Sequence, residues 1–284
     1  MARSESGALS AEQGGRRVMR ECIVLTGAAG RLGQALRPYL STQCAELRLV
    51  DRAPMTAAKP NEKVFQIDLN DEASLERAVQ GASAVVHFAG YPREAEWDVL
   101  LPANIEGTIK LWDQAHAAGV DRVIYATSNH AVGLYPRDTP LAELVHPLPD
   151  SRYGLTKVFM EALASLYAIK HGVRGFGLRI GHCAQEPSDA RMLSHWIHPE
   201  DLAALVTVGL TANYDNEIVY GASGNSRSWW PNARAFELGY RPTHSADGFA
   251  EQLEARVSDD PVAERYQGGS FAASEFTNAR AAQR

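Results

Sequence analysis

The chain has 284 residues, of which 45% are hydrophobic and 22% charged, as is usual for a globular protein with a sizeable buried core. Its formal net charge of -6 argues against nucleic acid or an anionic membrane as a partner. The cysteines Cys22, Cys44 and Cys183 are far apart and odd in number, which excludes a disulfide framework and favours reduced thiols in the cytoplasm.

Strands and helices predicted from the apolar pattern alternate along the chain. Apolar runs predict strands at residues 22–25, 47–50, 64–67, 84–88, 123–126 and 176–180. Helical patterns cover residues 30–40, 71–79, 104–118 and 153–171. Strands that are apolar on both faces are typical of a parallel sheet covered by helices. The sequence therefore predicts an α/β fold with a doubly wound parallel sheet (Rossmann), whose ligand site lies at the carboxyl ends of the strands.

The predicted organisation has four parts. Residues 1–19 are rich in Ser, Glu, Gly and Arg and are expected to form a disordered tail, and residues 20–180 form the dinucleotide-binding domain. Residues 181–266 alternate less clearly and are predicted to form a small C-terminal substrate lobe. Residues 267–284 are assigned to a C-terminal tail.

A glycine-rich segment, TGAAGRLG at residues 26–33, joins the first strand to the first helix. Its glycines have the spacing GxxGxxG, which lets the backbone approach a pyrophosphate closely at a helix N-terminus. The residues expected to contact a dinucleotide here are Gly27, Gly30, Arg31, Leu32 and Gly33.

Asp51 ends the second strand, 18 residues after Gly33. A carboxylate at this place can accept hydrogen bonds from both adenosine ribose hydroxyls and would repel a 2′-phosphate, which favours NAD over NADP. Arg52 follows directly and could accommodate that phosphate, so NADP stays open. The ends of the next two strands complete the predicted cofactor site with Asp68, Leu69, Phe88, Ala89 and Gly90.

Tyr153 and Lys157 are four residues apart on a predicted helix and share one face. A tyrosine hydroxyl has a pKa of about 10, and a nearby ammonium is expected to lower this pKa and favour the phenolate. Ser128 lies at the end of the preceding strand and could hydrogen-bond the reacting oxygen while the tyrosine takes the proton. These three residues are the predicted catalytic group.

The order of these motifs resembles the extended short-chain dehydrogenases, a group that includes the NAD-dependent epimerases and dehydratases. The glycine-rich loop, the NIEGT segment at residues 104–108, Ser128 and the Tyr153/Lys157 pair occur in that order across essentially the whole predicted fold. The resemblance implies an NAD-dependent enzyme in which Tyr153 and Lys157 also contact the cofactor. It further implies that Asn104 belongs to the cofactor site and supports a proton relay.

A narrower resemblance links the chain to the uronate dehydrogenases. It rests on the segments SNHAVGLYP at 128–136, RIGHC at 179–183, RMLS at 191–194, VYGAS at 219–223 and QGGSF at 267–271, and on the pair Trp229 and Trp230. This resemblance implies oxidation of the C1 hydroxyl of galacturonate or glucuronate by NAD to a lactone. It assigns sugar contacts to Ser128, Asn129 and His130, and the substrate carboxylate to Arg191. A cytoplasmic homo-oligomer is expected.

Two positions depart from the uronate dehydrogenase pattern. Where that family has a serine after a Gly-Gly step, this chain has Tyr91 followed by Pro92, and where it has Arg-Ile-Gly-Ser-Cys, this chain has His182. Tyr91 and His182 are therefore expected to face the substrate, and a 6-sulfonated aldose is an alternative because an added donor suits a sulfonate. A sugar epimerase or dehydratase and a non-catalytic dinucleotide sensor are the remaining alternatives.

No metal is expected. His195 and His198 have a spacing that metal ligands can use, but Pro199 suits the first position of a helix, so His198 is interpreted as the residue that leads into it. Trp229 and Trp230 could form a sugar platform, although core packing or an oligomer contact is favoured.

Overall fold

The computed structural model describes residues 19–278, and the sheet within that range has seven parallel strands in the order β3-β2-β1-β4-β5-β6-β9. The strands are β1 Arg20–Thr26, β2 Cys44–Asp51, β3 Glu62–Gln66, β4 Ala84–His87, β5 Arg122–Ser128, β6 Arg174–Ile180 and β9 Asn216–Gly221. Two short strands, β7 His182–Cys183 and β8 Trp196–Ile197, pair separately. The order reverses between β1 and β4, where a doubly wound sheet opens a crevice for a ligand.

The helices alternate with the strands in the first two thirds of the chain. They are α1 Arg31–Leu40, α2 Glu72–Val79, α3 Trp97–Leu100, α4 Gly107–Ala117, α5 Arg152–His171, α6 Met192–His195, α7 Pro199–Thr211, α8 Ala233–Glu237, α9 Ala250–Leu253, α10 Pro261–Arg265 and α11 Ser270–Ala273. The predicted helix at 104–118 is interrupted, because residues Leu101–Glu106 form a π-helix before α4 begins. A π-turn of this kind often marks a functional position.

Two apolar layers bury the sheet on both faces. On one face Leu36 of α1 and Leu202 of α7 pack against the strands, and on the other Leu75 of α2, Trp112 of α4 and Met160 of α5 do so. All five side chains are at most 1% exposed. Burial on both faces explains the apolar runs in the central strands, and it confirms the predicted doubly wound architecture.

The boundary predicted at residue 180 differs from the observed architecture. β9 lies at the edge of the main sheet and pairs with β6 over six residues, and α7 packs on the same sheet. The chain thus leaves the sheet after β6 and returns to it. Sequence alternation misses this return because the intervening segment has few regular elements. The remaining lobe has its own apolar clusters, one around Trp230 and Tyr220 and one around Trp196 and Leu253.

The described part of the predicted C-terminal tail packs against the body of the protein. Gln267 is fully buried, its amide group donates to the carbonyls of Pro136 and Thr139, and its side-chain oxygen accepts from Trp230. Residues 267–278 therefore differ from a free tail, because Gln267 supplies the missing partners of buried polar groups. The tail predicted at 1–19 lies outside the described residues except for Met19, as do residues 279–284.

Within residues 19–278, none of the helices combines the length and the apolar character needed to cross a bilayer.

Candidate active site

A cleft of about 1180 Å³ runs across the carboxyl ends of the strands. It is bordered by the glycine-rich loop after β1, the loops after β2, β3 and β4, the N-terminal turn of α5, and α11. Every residue predicted from the sequence to bind cofactor or substrate lines this cleft except Asn104 and Arg191. The residues predicted from the sequence thus form one continuous surface, and Asn104 and Arg191 lie outside it.

The glycine-rich loop is packed too closely for side chains at two of its glycines. Gly27 has a φ of +71°, and a Cβ atom there would lie 2.6 Å from backbone atoms of Phe88 and Ala89. A Cβ on Gly33 would lie 2.1 Å from the Gly27 carbonyl oxygen. The absence of side chains leaves backbone N–H groups open to the cleft at the start of α1, which is the geometry that a pyrophosphate requires.

Asp51 ties the end of β2 to the glycine-rich loop. Its two carboxylate oxygens accept hydrogen bonds from the backbone N–H groups of Ala29 at 3.0 Å and Ala53 at 2.9 Å. Each oxygen keeps a second acceptor position, so the carboxylate can still receive ribose hydroxyls. Arg52 is largely exposed and forms an ion pair with Asp68 at 3.6 Å, which holds it at the rim of the cleft.

Tyr153 and Lys157 lie in the first two turns of α5 and face the cleft together. The Lys157 ammonium is 5.4 Å from the centre of the Tyr153 ring and donates to the carbonyl of Ala126 at 2.8 Å. Ser128 ends β5 and lines the same cleft as Tyr153. Ser151 caps α5 by accepting from the N–H of Gly154 at 3.0 Å. The cap fixes the helix start, and with it the direction of Tyr153.

The pKa of Tyr153 differs from the sequence-based expectation. Burial raises the pKa of the Tyr153 hydroxyl to about 12, although Ser128 acts to lower it. Burial also lowers the pKa of Lys157 to about 8, against the opposing effect of Glu161. The predicted lowering of the Tyr153 pKa is therefore wrong in sign, since removing a group from water disfavours its charged form. In the protein without a bound cofactor, the Tyr153 hydroxyl therefore keeps its proton at neutral pH.

His130 is held by two residues that sequence reasoning missed. Its Nδ1 lies 2.7 Å from a carboxylate oxygen of Asp150, whose side chain is completely buried. The aromatic ring of Phe271, in α11, stacks on the imidazole at 3.9 Å between ring centres. Phe271 also lies 6.0 Å from the Tyr153 ring. The SNH and QGGSF motifs, far apart in sequence, thus meet at one wall of the cleft.

Glu94 was also missed by the sequence analysis. Its carboxylate accepts from the backbone N–H groups of Tyr153 at 2.8 Å and Arg152 at 3.2 Å, and it receives the Arg152 side chain at 3.0 Å. A carboxylate at a helix N-terminus satisfies free N–H donors and complements the helix dipole. No sequence signal marks this residue, because the contact joins positions almost 60 residues apart.

Arg191 lies behind the cleft rather than on its surface. Its Nε donates to the carbonyl of Gln267 at 2.9 Å, and Nη2 donates to the same oxygen. With the Asn129 amide oriented to satisfy both neighbours, Asn129 donates to the carbonyl of Ile180 and accepts from Arg191 Nη2, each at 3.1 Å. Burial lowers the pKa of Arg191 to about 10, with Arg137 as the next cause. Among the described residues, Nη1 has no hydrogen-bond partner.

Asn104 does not reach the cleft as predicted. Its side-chain oxygen accepts from the N–H of Tyr91 at 2.6 Å, and its amide nitrogen donates to the Tyr91 carbonyl and to the Thr156 hydroxyl, each at 3.1 Å. The π-helix turns this amide toward the Tyr91 loop, where its donors and its acceptor are used. Asn104 thereby joins that loop to α5 instead of lining the cofactor site.

Tyr91 and His182 are far apart in the sequence but line the same cleft. Tyr91 is 36% exposed, so its ring is not fixed by packing. His182 opens β7, and burial lowers the pKa of its imidazole, with Arg31 as the next cause. Both side chains are therefore placed to contact a ligand, and His182 is held in its neutral form.

The histidines considered as metal ligands have other surroundings. His195 is buried and its Nδ1 lies 2.9 Å from the Arg191 carbonyl, while His198 caps α7 by accepting from the N–H of Glu200. The predicted role of His198 at a helix start is confirmed. Within the described residues, His198, Glu200 and His244 come close enough for one ion, at a partly exposed surface outside the cleft.

The tryptophan pair belongs to the lobe and not to the cleft. Trp230 is 3% exposed and stacks on Tyr220 at 4.6 Å between ring centres. Trp229 stacks on His195, and neither tryptophan lines the cleft. Trp230 thus packs in the core of the lobe, one of the two favoured interpretations of the pair, and Trp229 is partly buried against the same cluster.

Comparison with known proteins places this geometry in a family. Residues 23–229 match the family model described as the NAD dependent epimerase/dehydratase family. A uronate dehydrogenase of Pseudomonas putida is 40% identical over 255 residues, which cover 88% of this chain and 95% of that protein.

Two solved structures are also similar. The glucuronic acid dehydrogenase of Chromohalobacter salexigens superposes with a TM-score of 0.86 at 38% identity, covering 90% of this chain and 98% of that one. A uronate dehydrogenase of Agrobacterium tumefaciens, a tyrosine-to-alanine mutant complexed with NAD, has a TM-score of 0.85 at 34% identity and covers 89% and 97%.

Proposed function

Because this chain belongs to the NAD dependent epimerase/dehydratase family, we propose that it oxidises the C1 hydroxyl of a hexuronate, such as galacturonate or glucuronate, to the lactone. The observation that carries the proposal is the placement of Ser128, Tyr153 and Lys157 in the same cleft as the glycine-rich loop. An anionic sugar fits a cleft that has Arg191 behind it and His130 and His182 on its walls.

The described residues fit a dinucleotide. Gly27 and Gly33 leave no room for side chains, so backbone donors at the start of α1 are open to the pyrophosphate. Asp51 would receive the adenosine ribose, and Phe88, Ala89 and Gly90, which line the same cleft, would hold the cofactor beyond it. When bound, oxidised NAD supplies a positively charged ring that accepts the hydride from C1 and favours the phenolate of Tyr153.

The catalytic side chains divide the proton chemistry among them. Tyr153 takes the proton of the C1 hydroxyl, and Ser128 holds the same oxygen by a hydrogen bond. Lys157, 5.4 Å from the tyrosine ring, stabilises the phenolate. Oxidation of a ring hemiacetal gives a lactone directly, so these residues need only position the sugar and accept one proton.

The anionic end of the sugar is assigned to Arg191. The Asn129 side-chain oxygen accepts a hydrogen bond from Arg191 Nη2, and Asn129 itself lines the cleft. The guanidinium and the amide group together therefore present N–H donors to a carboxylate. The carbonyl of Gln267 accepts two N–H groups of the guanidinium and fixes its plane. Binding at this end orients C1 toward Tyr153.

The substrate is tested with purified protein, NAD and a panel of galacturonate, glucuronate, glucose, glucose 6-phosphate and sulfoquinovose. We expect kcat/KM for a hexuronate to exceed that for glucose by at least about 100-fold, since a paired carboxylate is worth roughly 3 kcal/mol. Higher kcat/KM on sulfoquinovose would instead favour the sulfonated sugar, for which His182 is an added donor. Equal kcat/KM for glucose and the hexuronates would contradict a site that binds the anionic end of the sugar.

Asp51 is expected to set the cofactor preference. Asp51→Asn keeps the size of the side chain but removes the charge that repels a 2′-phosphate. The ratio of kcat/KM with NAD to kcat/KM with NADP should fall by about 10- to 100-fold. Asp68→Asn removes the other carboxylate at the rim of the cleft and is the matched control. It should change the ratio of kcat/KM with NAD to kcat/KM with NADP less. An unchanged ratio in Asp51→Asn would show that the charge does not select the cofactor.

The enzyme is further proposed to be a cytoplasmic homo-oligomer. The support for assembly is the outer face of α5, where Leu155, Leu166 and Ile169 are 48%, 44% and 85% exposed. Apolar side chains grouped on one surface helix are typical of a protein contact.

A further inference from the structure

The His130–Asp150 contact joins a cleft residue to a buried charge that the reaction above does not use. Asp150 immediately precedes the cap residue of α5, and its side chain has no exposed surface. One carboxylate oxygen lies 2.7 Å from His130 Nδ1, and the other accepts from the Ser151 hydroxyl at 2.7 Å. A buried carboxylate is costly unless its acceptor positions are filled, and here both oxygens have hydrogen-bond partners.

Three glycines form the space that holds the Asp150 carboxylate. A Cβ atom on Gly133 would lie 1.8 Å from it, and one on Gly268 would lie 1.9 Å from it. A Cβ on Gly154 would lie 3.2 Å from its other oxygen. These glycines come from the SNHAVG segment, from α5 and from the QGGSF segment, which the chain brings together only here. The carboxylate therefore has one position, directed at His130.

This contact fixes the protonation of His130. A carboxylate oxygen only accepts, so the 2.7 Å contact places a proton on Nδ1. The ring is held from the other side by Phe271, stacked at 3.9 Å with an interplanar angle of 19°. Among the described residues Nε2 has no partner, and the imidazole lines the cleft. The free ring nitrogen is thus available to a ligand in a defined orientation.

We propose that Asp150 is a positioning residue, which keeps the proton of His130 on Nδ1 and thereby presents Nε2 to a hydroxyl of the sugar. Which nitrogen of a histidine carries the proton is set by the bond that the other nitrogen makes. The identity of the sugar in this inference rests on the proposed function, but the state of the imidazole does not. Asp150 acts through His130 and touches neither the sugar nor the cofactor.

The state of the imidazole is tested first, by ¹⁵N NMR of histidine-labelled protein with NAD bound. The His130 signals are assigned by their loss in His130→Ala. In the wild-type protein we expect Nδ1 of His130 to carry a proton. A neutral ring protonated only on Nε2 would overturn the proposal, whatever sugar the enzyme turns over.

A double-mutant cycle then tests whether Asp150 acts through His130. Asp150→Asn keeps the shape but removes the charge, and it should lower kcat/KM for the preferred hexuronate by about 10- to 100-fold with an unchanged Kd for NAD. In the His130→Ala background the same substitution should have less than a twofold effect. The proposal would be contradicted if the losses of kcat/KM in the two single variants multiplied in the double variant. An effect of less than twofold for Asp150→Asn alone would also contradict it.

Asp201→Asn is the matched control for loss of a buried carboxylate. Asp201 is 1% exposed and accepts from the Ser223 hydroxyl and the N–H of Thr243, away from the cleft. This variant should lower Tm without raising KM for the sugar. If wild-type protein fails on all hexuronates, the proposed function fails, while the NMR result still decides the role of Asp150.

Discussion

Tyr153→Phe is expected to lower kcat for hexuronate oxidation by about 10³-fold or more. The substitution removes the one oxygen that accepts the C1 proton, and general acid–base groups contribute about 10²- to 10⁴-fold. The ring remains among His130, Phe271 and Lys157, whose contacts with it do not involve the hydroxyl. Steady-state kinetics with NAD and a hexuronate measure the loss.

The control for this prediction is Tyr135→Phe. The Tyr135 hydroxyl donates to the carbonyl of His146 at 3.0 Å and does not line the cleft. This variant should keep wild-type kcat, and both variants should bind NAD with the Kd of the wild-type protein. If Tyr153→Phe retained kcat within tenfold, Tyr153 could not be the base.

Lys157→Met is expected to lower kcat/KM by about 100-fold and to stabilise the fold. At an effective dielectric constant of about 20, a charge 5.4 Å from the tyrosine ring stabilises a phenolate by roughly 3 kcal/mol, which corresponds to about 100-fold. The same ammonium is costly to bury, and this cost lowers its pKa from the ordinary 10.5 to about 8. That shift corresponds to about 3 kcal/mol, an upper bound for the gain in unfolding free energy because the bond to Ala126 is lost.

The pH dependence of this stabilisation has a defined sign. The unfolded chain binds the Lys157 proton up to a pH near 10.5, whereas the folded protein releases it near 8. The cost is therefore fully present below pH 8 and is relieved as pH rises from 8 to 10.5. Chemical unfolding of Lys157→Met and wild type at pH 7 and pH 10 should show the stability difference shrinking. A difference that grows with pH would contradict this account.

The fold and the cofactor half of the site could be predicted because their signals are local. The central strands, buried on both faces, carry apolar runs such as that of β4, and the residues that line the cleft lie at or directly after the strand ends, as Asp51 and Phe88 do. The glycines follow from backbone contact, since a Cβ on Gly33 would meet Gly27 at 2.1 Å. Such signals survive without knowledge of tertiary contacts.

The sugar half of the site depends on contacts that sequence spacing does not contain. Asp150 reaches His130 across 20 residues, Glu94 reaches Tyr153 across 59, and Gln267 reaches Arg191 across 76. The predicted sign of the Tyr153 pKa shift is wrong for the same reason, because helical spacing gives the nearness of Lys157 but not the burial that raises this pKa. The predicted place of Asn104 in the cofactor site is not observed, because its side chain in the π-helix bonds to Tyr91 and Thr156, contacts that sequence spacing does not contain.

The most direct test of hydride transfer from C1 uses glucuronate carrying deuterium at C1. One turnover with NAD should give reduced cofactor that is one mass unit heavier and, in equal amount, a lactone without deuterium. Deuterium that remains in the sugar, or a sugar product formed without net reduction of NAD, would contradict the account and point to an epimerase or dehydratase.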